Sequence, residues 1–274
     1  MLRPLGVMQG RLLPQYKGRY QAHPLGYWHN EFPLAASLGL DCIEFILDYN
    51  DADHNPLLTV EGRKQIKSIS HQTGVNVISV CADYLMEVPL HTEDDQEVEK
   101  GMCILHQLLD ASVELGVRDI VIPCVDQSSI QKKRLRDKFQ EVLTGIIQKA
   151  EQSNVNLSLE TDLNPRQLAG LLNKLNSNQV TLNYDIGNSA SLGYDPIEEL
   201  AAYGERISDI HIKDRTLYGE SVILGTGAAD IPGFFRLLEG YDFHGPFIMQ
   251  AYRDVEGVTV FTDQLKYISN IFEC

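Results

Sequence analysis

The sequence predicts an α/β protein, a single closed (β/α)8 barrel spanning residues 1–274. Three observations lead there. Eight apolar, strand-like runs recur along the chain, separated by segments with helical patterning. Strict alternation of strand and helix implies a parallel sheet, and eight such units imply closure into a barrel. Capping side chains and glycines fall at the joints between the two kinds of segment.

The first run, 5–9, leads into a loop carrying His23, Tyr27, Trp28 and His29, then a helical pattern at 30–38 closed by Gly39. Runs at 42–47 and 75–81 flank a helix at 59–73 that ends on Gly74. The long pattern at 92–115 stops at Gly116, just before the run at 119–125. Residues 130–152 read as helix and 155–160 as the fifth strand. Asn164-Pro165 and Asp195-Pro196 each place a side-chain acceptor at the N-cap and proline in the first turn, which starts helices at 165–176 and 196–204. Glu198, three residues after Asp195, resembles the second half of a capping box. The remaining strands are 180–186, 207–212 and 246–251, with helices at 230–239 and 262–272. Strands buried on both faces should be nearly continuous in Val, Ile and Leu. Val75-Asn76-Val77-Ile78-Ser79-Val80-Cys81 and Ile120-Val121-Ile122-Pro123-Cys124-Val125 fit that description.

With 43% hydrophobic and 22% charged residues, the composition is that of an ordinary globular protein, and a chain this long buries a large core unaided. A formal charge of −15 repels phosphate backbones and anionic lipid, which argues against nucleic-acid and membrane partners. A small substrate, even an anionic one, remains compatible, because nearby Arg and Lys outweigh a distant screened field. The cysteines Cys42, Cys81, Cys103, Cys124 and Cys274 are odd in number and form no CxxC pair. They read as small buried hydrophobes of a reducing compartment. No signal-peptide core or membrane-length apolar run is present, so a cytoplasmic location is expected. Walker, GxSxG and strand-linked GxGxxG motifs are missing from the sequence.

Four strand-like runs end on a residue able to hold a metal: Glu160, Asp185, His211 and Gln250. In a parallel barrel the C-terminal ends of successive strands meet on one face, so these residues should surround one small volume. A metal-dependent enzyme is the expectation.

Tyr184-Asp185-Ile186-Gly187-Asn188, then His211-Ile212-Lys213-Asp214, then Gly225-Thr226-Gly227, resembles the sugar-phosphate isomerase/epimerase superfamily of xylose-isomerase-like TIM barrels. That group includes ketose 3-epimerases, L-xylulose-5-phosphate 3-epimerases, inosose dehydratases and endonuclease IV. The resemblance implies one divalent cation held by Glu160, Asp185, His211 and the residue at 250. The donor set suits Mn²⁺ or Mg²⁺, with Co²⁺ or Zn²⁺ as alternatives. It implies a sugar or sugar phosphate as partner, a homodimer as the assembly, and Glu160 as both ligand and base. The implied chemistry removes a proton next to a carbonyl and forms a metal-stabilised enediolate.

Gln250 departs from that pattern, since relatives carry a second catalytic glutamate there. Glutamine neither takes nor holds the proton, and it leaves the ligand set less negative. This tilts the expectation from epimerase towards isomerase, or towards an inosose-type dehydratase or a non-catalytic carbohydrate-binding barrel. Glu44 and Asp83 are the candidates for a second acid. Substrate contacts are expected from Asn188, from Lys213, Arg215 and Arg253 as phosphate grips, from Glu44 and Asp83, and from Gln9 and Arg11 after the first strand.

Overall fold

The structure, a computed structural model, describes residues 4–273. All eight strands form: β1 Leu5–Met8, β2 Cys42–Ile46, β3 Asn76–Cys81, β4 Asp119–Cys124, β5 Asn156–Thr161, β6 Val180–Asp185, β7 Ile207–Ile212 and β8 Phe247–Met249. They pair in sequence order, and β8 closes the barrel by pairing in parallel with β1. The surrounding helices are α1 Glu31–Ser37, α2 Val60–Thr73, α3 Tyr84–Glu87, α4 Asp95–Leu115, α5 Lys133–Ser153, α6 Pro165–Leu175, α7 Ile186–Leu192, α8 Pro196–Tyr203, α9 Ile231–Leu238 and α10 Val258–Glu273. No helix among the described residues is long and apolar enough to cross a membrane.

The punctuation acts as the sequence predicts. Gly74 and Gly116 take left-handed φ values of 75° and 76° at the ends of α2 and α4, a conformation that costs residues with a Cβ. Asn164 accepts from the backbone N of Gln167, with Pro165 opening α6. Asp195 accepts from Ile197 N at 2.9 Å and so caps α8 by itself. Two short helices, α3 and α7, were not predicted; they follow β3 and β6 closely, with Asp83 and Asp185 at their N-cap positions.

The barrel interior is divided. Met8, Cys42, Ile46, Cys81, Val121 and Ile248 form an apolar cluster inside the ring. Buried polar side chains, among them Glu44, Asp119, Glu160, Asn183, Asp185, Asp209 and His211, lie on the strands beside it. Cys42, Cys81 and Cys124 are buried and unpaired, as expected, whereas Cys103 is exposed on α4. Cys274 lies outside the described residues.

Candidate metal centre

Register delivers the site. Asp185 pairs with His211 across β6 and β7, and Glu160 is the last residue but one of the neighbouring β5. One ligand atom from each of Glu160, Asp185 and His211 lies within 4.8 Å of the other two, and all three residues are buried. Each is held by a separate device. Asp185 is the N-cap of α7, its Oδ1 accepting from Asn188 N at 2.8 Å, which leaves Oδ2 to accept from Lys213 Nζ at 3.2 Å. The Asn188 amide donates to Glu160 Oε1 at 2.7 Å and is itself fixed by an Arg215 guanidinium N–H at 2.9 Å. Asn188 and Arg215 are therefore struts behind Glu160.

His211 is oriented from below. Its Nε2 lies 2.9 Å from Glu44 Oε1, while its buried Nδ1 has no hydrogen-bond partner. This is the arrangement of a metal-ligating histidine, in which one ring nitrogen is fixed by a carboxylate and the other is left for the cation. Burial alone disfavours a charged ring, yet the Glu44 carboxylate outweighs it and pushes the imidazole up to about 10. Burial, with Asp185 close by, pushes the Glu160 carboxyl up to about 7, although His211 and Lys213 pull the other way. Crowded, dehydrated carboxylates beside an unpartnered ring nitrogen suit a dication, which satisfies all of them at once. The residues present thus fit the metal that the sequence led us to expect. Glu44→Gln should weaken cation binding by about 10–100-fold, the usual cost of removing a ligand's supporting carboxylate. Competition with a chromogenic chelator measures this, and unchanged affinity would show that the imidazole is aimed by something else.

Asp209, Glu44 and His211 form a second cluster with ligand atoms equally close. It lies within the barrel, and none of its members lines the open cavity, whereas Glu160 of the first cluster does. Burial, then the Glu44 carboxylate, holds the Asp209 carboxyl well above the usual range. Asp209 was missed, although its period-two spacing from His211 on β7 was the available signal.

Gln250 sits just beyond β8. Its Oε1 accepts from Lys213 Nζ at 3.1 Å, and that ammonium also reaches Asp185 Oδ2 at 3.2 Å. The Gln250 amide nitrogen donates to Gln21 Oε1 at 3.0 Å. The amide is therefore brought to the rim of the ligand cluster with Lys213 between. Lys213, expected to grip phosphate, lies on the cavity wall and also ties β6 to the segment after β8.

Above the cluster opens a cavity of about 720 Å³, walled by Arg11, Asp83, Glu160, Asn188, Lys213 and Gln250 among others. Two of the expected substrate contacts have other partners in the structure. Gln9 is fully buried, with its Oε1 accepting from Ile46 N and facing His23 Nδ1, both at 3.0 Å, so it braces the first loop and does not reach the cavity. Arg253 lies on the cavity wall, but its guanidinium donates to the carbonyls of Gly10 and Leu13 at 2.6 Å each, and to those of Asp254 and Val255. It clamps loops rather than presenting a fork to phosphate. Arg11 does face the cavity, donating to Tyr20 O and Gln21 Oε1 and lying 5.0 Å from the Tyr20 ring centroid. Trp28 packs against Phe32 and Phe45, so that loop is anchored by aromatic packing.

The acidic end of the His-x-Lys-Asp motif has a structural task. Asp214 is fully buried and accepts from the backbone nitrogens of Arg215, Gly225, Gly227 and Ala229 at 2.8–3.1 Å. A Cβ at Gly227 would come within 2.2 Å of Asp214 Oδ1, which explains the glycine. The carboxylate thereby fixes the loop after β7 that carries Arg215. Asp214→Ala should lower stability by about 2–4 kcal/mol, because several buried N–H groups lose a charged acceptor. Chemical denaturation tests it, and a loss below about 0.5 kcal/mol would mean that water replaces the carboxylate.

Fold and site together define a parallel barrel with a cation-ready pocket at the C-terminal ends of its strands. The chain belongs to the xylose isomerase-like TIM barrel family, whose sequence profile matches residues 32–271. It is 28% identical over 236 residues, 83% of each chain, to the L-ribulose-5-phosphate 3-epimerase UlaE of Salmonella paratyphi A. Among solved structures it resembles the IOLI protein with a bound zinc atom, with a TM-score of 0.75, 17% identity and coverage of 98% of this chain and 96% of that one. A xylose isomerase-like barrel protein from Mycobacterium smegmatis in complex with magnesium gives 0.70 and 18%, again over 98% and 96%.

Proposed function

We propose that this protein is a divalent-cation-dependent isomerase or epimerase of sugars or sugar phosphates, working by proton abstraction next to a carbonyl. The observation that carries this is the convergence of Glu160, Asp185 and His211, with Glu160 on the wall of an open pocket and His211 Nδ1 left without a hydrogen-bond partner. The likeness to a curated ribulose-phosphate 3-epimerase points to the same substrate class.

Glu160, Asp185 and His211 would hold the cation, with Gln250 beside them once Lys213 releases its amide oxygen. A bound dication supplies Lewis acidity to the substrate carbonyl. Glu160 takes the α-proton at its free carboxylate oxygen, while the Asn188 amide keeps the other oxygen fixed. Lys213 and Arg11 offer positive charge and N–H donors to substrate oxygens along the wall.

The decisive experiment incubates the Mn²⁺-loaded protein with a panel of ketoses and ketose phosphates in D₂O. Deuterium entering a carbon next to the carbonyl is the expected result, and product analysis separates isomerisation, epimerisation and water loss. No uptake into any member of the panel would remove this reading.

A further inference from the structure

One carboxyl in the pocket has no part in the proton abstraction just described. Asp83 lies between β3 and α3, half-buried, on the wall of the same cavity as Glu160. Its two oxygens are separately held: the Cys81 thiol donates to Oδ1 at 3.1 Å, and the Gln21 amide donates to Oδ2 at 2.8 Å. Gln21 is fixed in turn, its Oε1 accepting from Gln250 Nε2 and from Arg11, both at 3.0 Å. A single amide thus links Asp83 to position 250, where the side chain cannot carry a proton. Glu44 does not compete for the task, being fully buried, bound to His211 and away from the cavity.

Building on the function proposed above, we infer that Asp83 is the second acid–base residue of this pocket, and that the reaction is an epimerisation at the carbon Glu160 deprotonates. The β3 and β5 strands stand two apart in the ring of eight, a quarter of its circumference. Their carboxyls therefore approach a substrate from different walls. Glu160 takes the proton from the carbon beside the carbonyl, and the electrons of that C–H bond move into the enediolate. The Asp83 O–H then gives its proton to the same carbon from the other side as the carbonyl re-forms. Glu160 loses its proton to water and Asp83 regains one, so only the configuration changes. Burial, helped by the carboxylates of Asp48 and Glu44, keeps Asp83 above the ordinary range, although the Gln21 and Cys81 hydrogen bonds oppose this.

The test uses the Mn²⁺-loaded full chain with ketopentoses, ketohexoses and their phosphates in D₂O, wild type beside Asp83→Asn. In the variant, deuterium should still enter the starting ketose at a rate within about threefold of wild type. The epimer should form at least about a hundredfold more slowly, within the range that one acid–base group contributes. Asp83→Ser serves if the asparagine variant does not fold, with the same split expected. An unchanged rate of epimer formation overturns the inference. So does a parallel loss of exchange and epimer, which marks a merely structural residue, or a wild-type product that is only an aldose. Wild-type protein that exchanges deuterium into no sugar would instead remove the function itself, a result distinct from a defect confined to the variant.

Discussion

Glu160→Gln is expected to cut solvent-deuterium exchange by about 10²–10⁴-fold while leaving the barrel folded. The substitution keeps shape and volume, and the Asn188 hydrogen bond survives on the remaining oxygen. What disappears is the basic oxygen that receives the proton. One negative charge also leaves the ligand cluster, so cation affinity should fall, and exchange must be compared at saturating metal. Stability should change little or improve, because burial disfavours the carboxylate to begin with. Exchange measured by proton NMR and thermal unfolding on the same preparation separate the two effects. A variant that retains wild-type exchange would reassign the base.

Gln250→Glu should tighten cation binding by about 10–100-fold, or about 1.4–2.8 kcal/mol. Two unit charges 4 Å apart attract by about 4 kcal/mol at an effective dielectric near 20, and a dication doubles that. Dehydration of the new carboxylate takes back much of it. Lys213 takes back more, since its ammonium now touches the amide oxygen and would pair with a carboxylate there. The net effect is therefore a fraction of the Coulomb figure. A restored carboxylate at this position should also accelerate epimer formation. Isothermal titration with Mn²⁺ checks the first claim, and unchanged affinity would place residue 250 outside the ligand set.

The ligand cluster was legible because a parallel barrel converts strand-end position into spatial proximity. Glu160, Asp185 and His211 needed only the strand boundaries, and those were marked by apolar runs and by caps such as Asn164-Pro165. The pairing partner of His211 was half legible. Glu44 stood out as a charge inside an apolar strand, but which group it met depended on barrel closure, since β2 and β7 are far apart in sequence. Gln21 gave no signal, being one polar residue in an irregular loop. Its importance comes from reaching Asp83, Arg11 and Gln250 together. Glu31 was equally silent, though its carboxylate accepts from Gly10 N and Leu12 N and shapes the first loop. Arg253 shows the opposite problem. An arginine after the eighth strand of a barrel suits a phosphate or a set of carbonyl oxygens equally well by composition. Only the loop path, which brings the carbonyls of Gly10 and Leu13 to it, decides between them.

Anomalous diffraction from a crystal soaked in Mn²⁺ tests the shared-cation site most directly. One strong peak should appear about 2.0–2.3 Å from a carboxylate oxygen of Glu160, from one of Asp185 and from His211 Nδ1. A peak held by Glu44 and Asp209 instead, or none at millimolar Mn²⁺, would contradict it.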